Sequence, residues 1–441
     1  MIRNINSTAL LVTALGLLWL AGCSQPPQGT EVTVRLSSPW GVPATATVDY
    51  QVGDGEWKLA TQKDYGVYGF TVPPGEVRYG VAVNCIPVGF GLGTLGWANV
   101  YQLTLDDTKE LQVACLNLSD LSTTEVKVKA RAGGGDTGYD RAWYYSELDD
   151  GRKTFPNNAT LLSKAEANRD VLIVAYASGS SKYNPGLIRR IKFLHNLDAS
   201  STPVAPLDVE LTAADQPTTQ TVGAFSKPGW SAAASFGVGF VSSQGLTVPF
   251  TASAPDENPA LGSGDEAGGS YYKIPNTRPG DVYYAEASAW DAARNHLVHF
   301  SQVLDYDGPQ LNIELPARKF DPAVSAGALP VFTGLEYSDP DLKGYAFSIN
   351  FSGFWEMIVV SKAWLDAKTS YAVPDLSSAP DFRGTRPLKG EELRWRALAV
   401  MANHELGEIL TGDPLPLPNP VPRTPGLWMK LAVKQGKFTV P

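Results

Sequence analysis

Apolar and polar residues alternate at every second position through much of the chain, the period of a β-strand with one buried and one wet face. Four such stretches recur: VRYGVAVNC at 77–85, DVLIVAYAS at 170–178, DVYYAEASAW at 281–290 and LRWRALAVMA at 393–402. Their spacing of roughly a hundred residues is the size of one β-sandwich domain. VPPGEVRY at 72–79 and RPGDVYY at 278–284 introduce two of them through a Pro-Gly turn, and LKGEELRW at 388–395 is a relative without the proline. Each unit closes on a second alternating strand, within ELQVACLNL at 110–118, PLDVELTAA at 206–214, QLNIELPAR at 310–318 and WMKLAVKQGKF at 428–438. The expected fold class is therefore all-β: tandem antiparallel β-sandwich domains over 31–118, 119–215, 216–318 and 319–441. NATLLSKAEANRD at 158–170 stays open between a strand and a short helix.

Composition agrees with that pattern. Of 441 residues, 43% are hydrophobic and 18% charged, which is enough to fill several cores. Glycine (42) and proline (33) are plentiful while Met and His number four each, a balance of strands and turns over long helices. The net charge of −9, with no Lys/Arg run, excludes a phosphate-backbone partner such as nucleic acid.

The N-terminus breaks the alternation. Arg3 precedes the apolar stretch ALLVTALGLLWLAG from Ala9 to Gly22, too short to span a bilayer and suited to the core of an export signal. Its end, Leu20-Ala21-Gly22-Cys23, resembles the lipobox of bacterial lipoproteins. That resemblance implies cleavage of residues 1–22 as a signal peptide and a covalent diacylglycerol/acyl lipid on Cys23. The anchored N-terminus would lead into a tether over 23–30, with no other cofactor. Each buried methylene contributes roughly 0.8 kcal/mol, so several acyl chains hold a soluble body on a membrane. Ser24 is not the aspartate that retains some lipoproteins at the inner membrane, so the resemblance points to the outer membrane, periplasmic or surface-facing. With Cys23 assigned to lipid, Cys85 and Cys115 remain as an even pair in an oxidising compartment and are expected to form a disulfide. Its loop of about 30 residues would contribute about 3–4 kcal/mol in the chain-entropy model.

TSYAVPDLSS at 369–378, followed by the strand from Arg394 to Val400, resembles fibronectin type III domains. VPPGEVRYGVAV resembles the same Ig-like class or a carboxypeptidase-regulatory-like module. Such a resemblance bears on architecture and leaves function to the sites.

Chemistry-bearing motifs are sparse. NHELGE at 403–408 has glutamate where a zincin helix needs its second histidine, so His404, Glu405 and Glu408 are read as a hairpin loop, with a metal-dependent hydrolase as a remote alternative. GFGLGTLGW at 89–97 contains Gly-x-Gly-x-x-Gly but runs into the alternating ANVYQLTL, so it is read as a β-connection without phosphate binding. His296 and His299 fall on opposite strand faces, and His195 is isolated. Asp305/Asp307, Asp339/Asp341 and Asp265/Glu266 are read as turn acids ahead of calcium ligands. No Gly-x-Ser-x-Gly is present, and an enzyme is not expected.

The aromatic clusters AWYYSE and GGSYYK nominate Tyr144, Tyr145, Tyr271 and Tyr272 as ligand contacts, with Trp97 as a further candidate that core packing also explains. The expected function is a lipid-anchored, non-catalytic envelope protein. Its domains would bind a cell-wall, surface-layer or protein partner; polysaccharide binding by the aromatic loops is the alternative.

Overall fold

In a computed structural model the described residues are 29–37, 43–84, 96–115, 124–132, 141–146, 149–156, 160–165, 169–176, 188–197, 207–226, 230, 234–244, 246–249, 266–304, 313–379, 382, 386–411 and 424–441. The expected signal peptide and most of the tether lie outside them.

Among the described residues there are twenty-nine strands, grouped by the four sequence units. Unit 1 holds β1 (Thr30–Ser37), β2 (Thr47–Val52), β3 (Lys58–Leu59), β4 (Thr61–Asp64), β5 (Val67–Val72), β6 (Arg78–Asn84), β7 (Gly96–Thr104) and β8 (Glu110–Ala114). Unit 2 holds β9 (Thr124–Ala132), β10 (Arg141–Ser146), β11 (Asp149–Pro156), β12 (Thr160–Ala165), β13 (Arg169–Tyr176), β14 (Ile188–Leu197) and β15 (Leu207–Leu211). Unit 3 holds β16 (Thr218–Ser226), β17 (Ala234–Val241), β18 (Thr247–Pro249), β19 (Glu266–Lys273), β20 (Val282–Trp290), β21 (His296–Leu304) and β22 (Ile313–Glu314). Unit 4 holds β23 (Ala323–Ser325), β24 (Val331–Thr333), β25 (Leu342–Phe351), β26 (Phe354–Ser361), β27 (Ser370–Ala372), β28 (Glu392–Ala402) and β29 (Trp428–Thr439). The chain is all-β, and 160–165 is a strand, not a helix.

Each unit divides its strands between a four-stranded row and a second sheet, of four strands in unit 1 and three in the others: β4-β5-β1-β8, β12-β9-β15, β19-β16-β22 and β23-β24-β27. In units 1 to 3 the opening strand pairs in parallel with the closing strand, β1 with β8, β9 with β15 and β16 with β22. The recurring strands β6, β13, β20 and β28 each run inside a four-stranded row, which is why they are the most continuously apolar.

The turn before these strands is shared. Gly75, Gly280 and Gly390 have φ of 89°, 90° and 89°, the left-handed backbone that the third residue of a type II turn requires. The turns close through Glu76 N–H to Pro73 O, Asp281 N–H to Arg278 O and Glu391 N–H to Leu388 O at 3.1–3.3 Å. The acid that follows the glycine then caps the turn: Glu76 accepts from Arg78 N–H, Asp281 from Arg278 N–H and Glu391 from Leu388 N–H.

Three of the four-stranded rows are joined edge to edge. They form one twelve-stranded sheet in the order β18-β17-β20-β21-β29-β28-β25-β26-β7-β6-β2-β3, with unit 4 in the middle. β21 meets β29 antiparallel from His296↔Lys434 to Gln302↔Trp428, and β26 meets β7 in parallel from Phe354↔Gly96 to Val360↔Gln102. Pairing saturates backbone groups that separate sandwiches would expose at their edges. The sheet's two faces carry different cores. Val34, Tyr79, Val81, Leu103 and Leu111 fill unit 1, while Phe193, Phe240, Tyr283, Phe332 and Phe347 belong to one continuous cluster through units 2, 3 and 4.

The segment after β28 departs from the expected hairpin loop: Leu406–Thr411 is a short helix. Leu406 and Leu410, one turn apart, pack on the unit 1 core. A Cβ at Gly407 would meet the Asp107 carbonyl oxygen at 1.7 Å, so only glycine permits that docking.

Candidate functional site

The residues singled out by sequence are scattered. Cys23 and Cys85 lie outside the described residues. Cys115 is fully buried and disulfide-bonded, directly after β8, where its N–H donates to Ser37 O at 2.9 Å. Cys85 directly follows β6 in the chain. Tyr144 and Tyr145 sit on β10 opposite Ile173 and Leu172 of β13, and Tyr271 on β19 opposite Gln220; their side chains lie outside what is described. Tyr272 is half-buried against the central core, and burial raises its hydroxyl pKa. Trp97 is 1% exposed on β7 and stacks on Trp355 of β26, with ring centroids 5.7 Å apart and planes at 9°. It is a buried support and not a contact loop.

His404, Glu405 and Glu408 do not converge. His404 Nδ1 lies 3.0 Å from Asn403 Oδ1, Glu405 pairs with Lys343 at 2.6 Å, and Glu408 accepts from Glu405 N–H at 3.1 Å. His296 faces Asp291 at 2.8 Å, whereas His299 lies buried on the opposite face with Nδ1 2.7 Å from Ser288 Oγ. Burial pushes the His299 pKa down to about 4, so at neutral pH it is an uncharged partner for the serine. Asp339 accepts from Asp341 N–H in a tight turn, as expected of a turn acid. Glu266 opens β19; Asp265, Asp305 and Asp307 lie outside the described residues. Among the described residues no three metal-ligating side chains come together. His195 lies 3.5 Å from the fully buried Asp170, which Arg278 grips with contacts of 2.8 and 3.0 Å across units 2 and 3.

One concave site stands on the sheet itself. A cleft of about 450 Å³ is lined by Ser348 and Asn350 of β25, Trp355 of β26, Arg394 and Arg396 of β28, Gln435 and Lys437 of β29, and Asn295 before β21. Register explains the gathering. Trp97, Trp355, Asn350, Arg394 and Lys437 are successive cross-strand partners in one row over five strands. Asn99, Met357, Ser348, Arg396 and Gln435 form the next row. Neighbours in a row project from the same face at strand spacing of roughly 4.8 Å. The β25–β26 hairpin fixes one wall: Phe351 pairs with Phe354 around Ser352-Gly353, whose φ values of 44° and 78° fit the type I′ turn. Glu392 joins Arg394 at 2.9 Å and Lys437 at 2.8 Å, so these two cations share one carboxylate. Arg396 has no acid beside it among the described residues; burial alone acts on its guanidinium and lowers its pKa. Further along the same face the rows turn apolar, with Ala346, Leu398, Val400, Leu431 and Val433 buried.

This site was absent from the sequence-derived candidates, although one signal was legible. Arg394 and Arg396 flank Trp395 at strand period and therefore share a face.

No protein-family model and no curated protein matches the chain. Among solved structures it is similar to the Bacillus anthracis TIE protein, at 9% identity over 65% of this chain and 50% of that one, TM-score 0.17. It is also similar to a Ca2+-stabilized adhesin by which an Antarctic bacterium binds ice, at 11% identity over 86% and 95% of the two chains, TM-score 0.13. A third likeness is to the pilus adhesin SpaC from Lactobacillus rhamnosus GG, at 10% identity over 76% and 43%, TM-score 0.16. The chain spans about half the length of the first of these. Likenesses this slight carry no argument about what the chain binds.

Proposed function

We propose that this chain is a lipid-anchored, non-catalytic envelope protein whose sandwiches act together as one adhesive or structural body. The observation that supports the reading best is the edge-to-edge joining of units 3, 4 and 1 in a single sheet. Domains on flexible linkers reorient freely; domains sharing backbone ladders transmit load and present a fixed surface. The side chains a hydrolase would need serve other contacts: His404, Glu405 and Glu408 each have a local partner, and Ser288 and His299 are both buried. In this reading Cys23 carries the lipid, and Cys85, which follows β6 of one sheet in the chain, pairs with Cys115, which follows β8 of the other.

Anchoring is tested by labelling cells with a palmitate analogue. The full chain is expected to take up label and partition into the detergent phase, and Cys23→Ser to lose the label entirely. Label retained by Cys23→Ser would overturn the assignment. Protease treatment of intact cells then separates the two orientations. Rapid loss of the sandwiches places them outside, and protection until the outer membrane is opened places them in the periplasm.

A further inference from the structure

We propose that the cleft built by Arg396, Trp355, Asn350, Ser348 and Gln435 is a binding site for an acidic saccharide, a pyranose that carries a carboxylate. The inference names a ligand class for the binding role proposed above and rests on that reading.

Three features converge on this chemistry. The first is charge. Arg394 and Lys437 share Glu392 at the rim, whereas the Arg396 guanidinium stands on the cleft wall without an acid of its own. In a chain of net charge −9 a partly exposed cation without a counter-ion among the described residues is a place for an outside anion, and a planar guanidinium matches a carboxylate through two parallel hydrogen bonds. Second, the wall is aromatic. Trp355 is half-buried, is braced by the parallel ring of the buried Trp97, and lines the cleft beside Asn350. A rigid indole offers a flat apolar surface to the C–H face of a sugar ring at little entropic cost. Third, the remaining lining is neutral and hydrogen-bonding: Ser348 and Asn350 supply a hydroxyl and an amide, and Gln435, whose Nε2 donates to Arg294 O at 2.8 Å, adds its amide oxygen as an acceptor for sugar hydroxyls. At about 450 Å³ the cleft lies within the range of small-ligand sites.

An acidic peptide fits less well. Extended peptides are held by adding a strand to a free sheet edge. Here β25 lies between β26 and β28, β28 between β25 and β29, and β29 between β28 and β21, so no backbone edge opens into the cleft. Recognition must come from side chains alone, as it does for a sugar.

The test is calorimetric titration of the full chain in detergent with tetrasaccharides of galacturonate, glucuronate and guluronate, each also as its methyl ester. At least one acid should bind, with its methyl ester at least tenfold weaker. Arg396→Gln should weaken the acid at least tenfold, and Arg396→Lys less so because the charge remains without the planar fork. Arg396 has no side-chain partner among the described residues, so Arg396→Gln should keep the wild-type melting temperature, which separates lost binding from lost folding. Trp355→Ala should weaken acid and ester alike. Failure to bind any of the three acids, equal binding of acid and ester, or unchanged binding by Arg396→Gln would each overturn the proposal. Chain length of the bound saccharide is measured after incubation. A shortened product would leave the cleft standing and overturn the non-catalytic reading. Absence of binding, with lipid still found on Cys23, would overturn the cleft and leave the envelope reading intact.

Discussion

Arg278→Ala is expected to destabilise the protein by about 3–5 kcal/mol, the range for stranding one member of a buried ion pair. Asp170 is fully buried at the foot of β13 in unit 2, and the Arg278 guanidinium reaches it from unit 3 with two contacts of 2.8 and 3.0 Å. Arg278 is itself held in place, with Nε donating to Ser243 Oγ at 2.8 Å and its N–H to Asp281 at 2.8 Å. Without the guanidinium the carboxylate keeps, among the described residues, Asn196 N–H at 3.3 Å and His195 at 3.5 Å, the latter a charge partner only when protonated. Around this pair the two units meet through Phe193 on Phe240, rings edge to face at 5.4 Å. Urea denaturation of Arg278→Ala should show a separate early transition for unit 2, and trypsin should cut between units 2 and 3 under conditions that spare the wild type. The double variant Arg278→Met, Asp170→Leu should recover most of the loss, because removing both charges removes the desolvation cost with them. An unchanged transition in Arg278→Ala would mean that the aromatic contact alone holds the units together.

Asp170 also shows why the repeat was legible while the junctions were not. An acid precedes the apolar run of all four recurring strands, as Glu76, Asp170, Asp281 and Glu391 or Glu392, and alternation with turn chemistry suffices to place each strand. Glu76, Asp281 and Glu391 cap their own turns from two or three residues away, but Asp170 is held by Arg278, 108 positions on, and no local pattern encodes that. Sheet continuity was hidden for a related reason. β7 meets β26, and β21 meets β29, through backbone hydrogen bonds that any residues make. The cleft was obscured by dispersal, since Asn295, Ser348, Asn350, Trp355, Arg394, Arg396 and Gln435 each read as an ordinary outward position of its own strand or hairpin. The helix at Leu406–Thr411 was missed because its helical spacing of Leu406 and Leu410 acquires meaning only against the unit 1 core. Trp97 stood as a contact candidate that core packing also explained; it is buried, and its role as the brace for Trp355 required the parallel register of β7 on β26.

Glu356→Gln is expected to abolish a large part of the pH dependence of stability and to raise stability in alkali. Glu356 lies on β26 opposite Ile349 and Ala98, 7% exposed, with Oε1 unpaired among the described residues. Burial pushes its pKa up to about 8. The Tyr371 hydroxyl is likewise buried without a hydrogen bond among the described residues, and its pKa is raised first by burial and then by the Glu356 charge. An unfolded glutamate ionises near pH 4.3. Between that pH and about 8 the folded chain holds one proton more than the unfolded chain at this site. Stability contributed by the site is therefore full below the unfolded pKa, drains by about 1.4 kcal/mol per pH unit as pH rises, and levels off above the folded pKa. Glutamine keeps the shape and has no charge to bury. At pH 9 the variant should exceed the wild type by roughly 3–5 kcal/mol, and at pH 4 the two should agree within about 1 kcal/mol. Paired denaturation curves from pH 4 to 9 read this directly. Equal slopes in the two proteins would show that the folded chain admits a counter-charge or solvent to Glu356, and that β26 is less tightly sealed between β25 and β7 than its packing indicates.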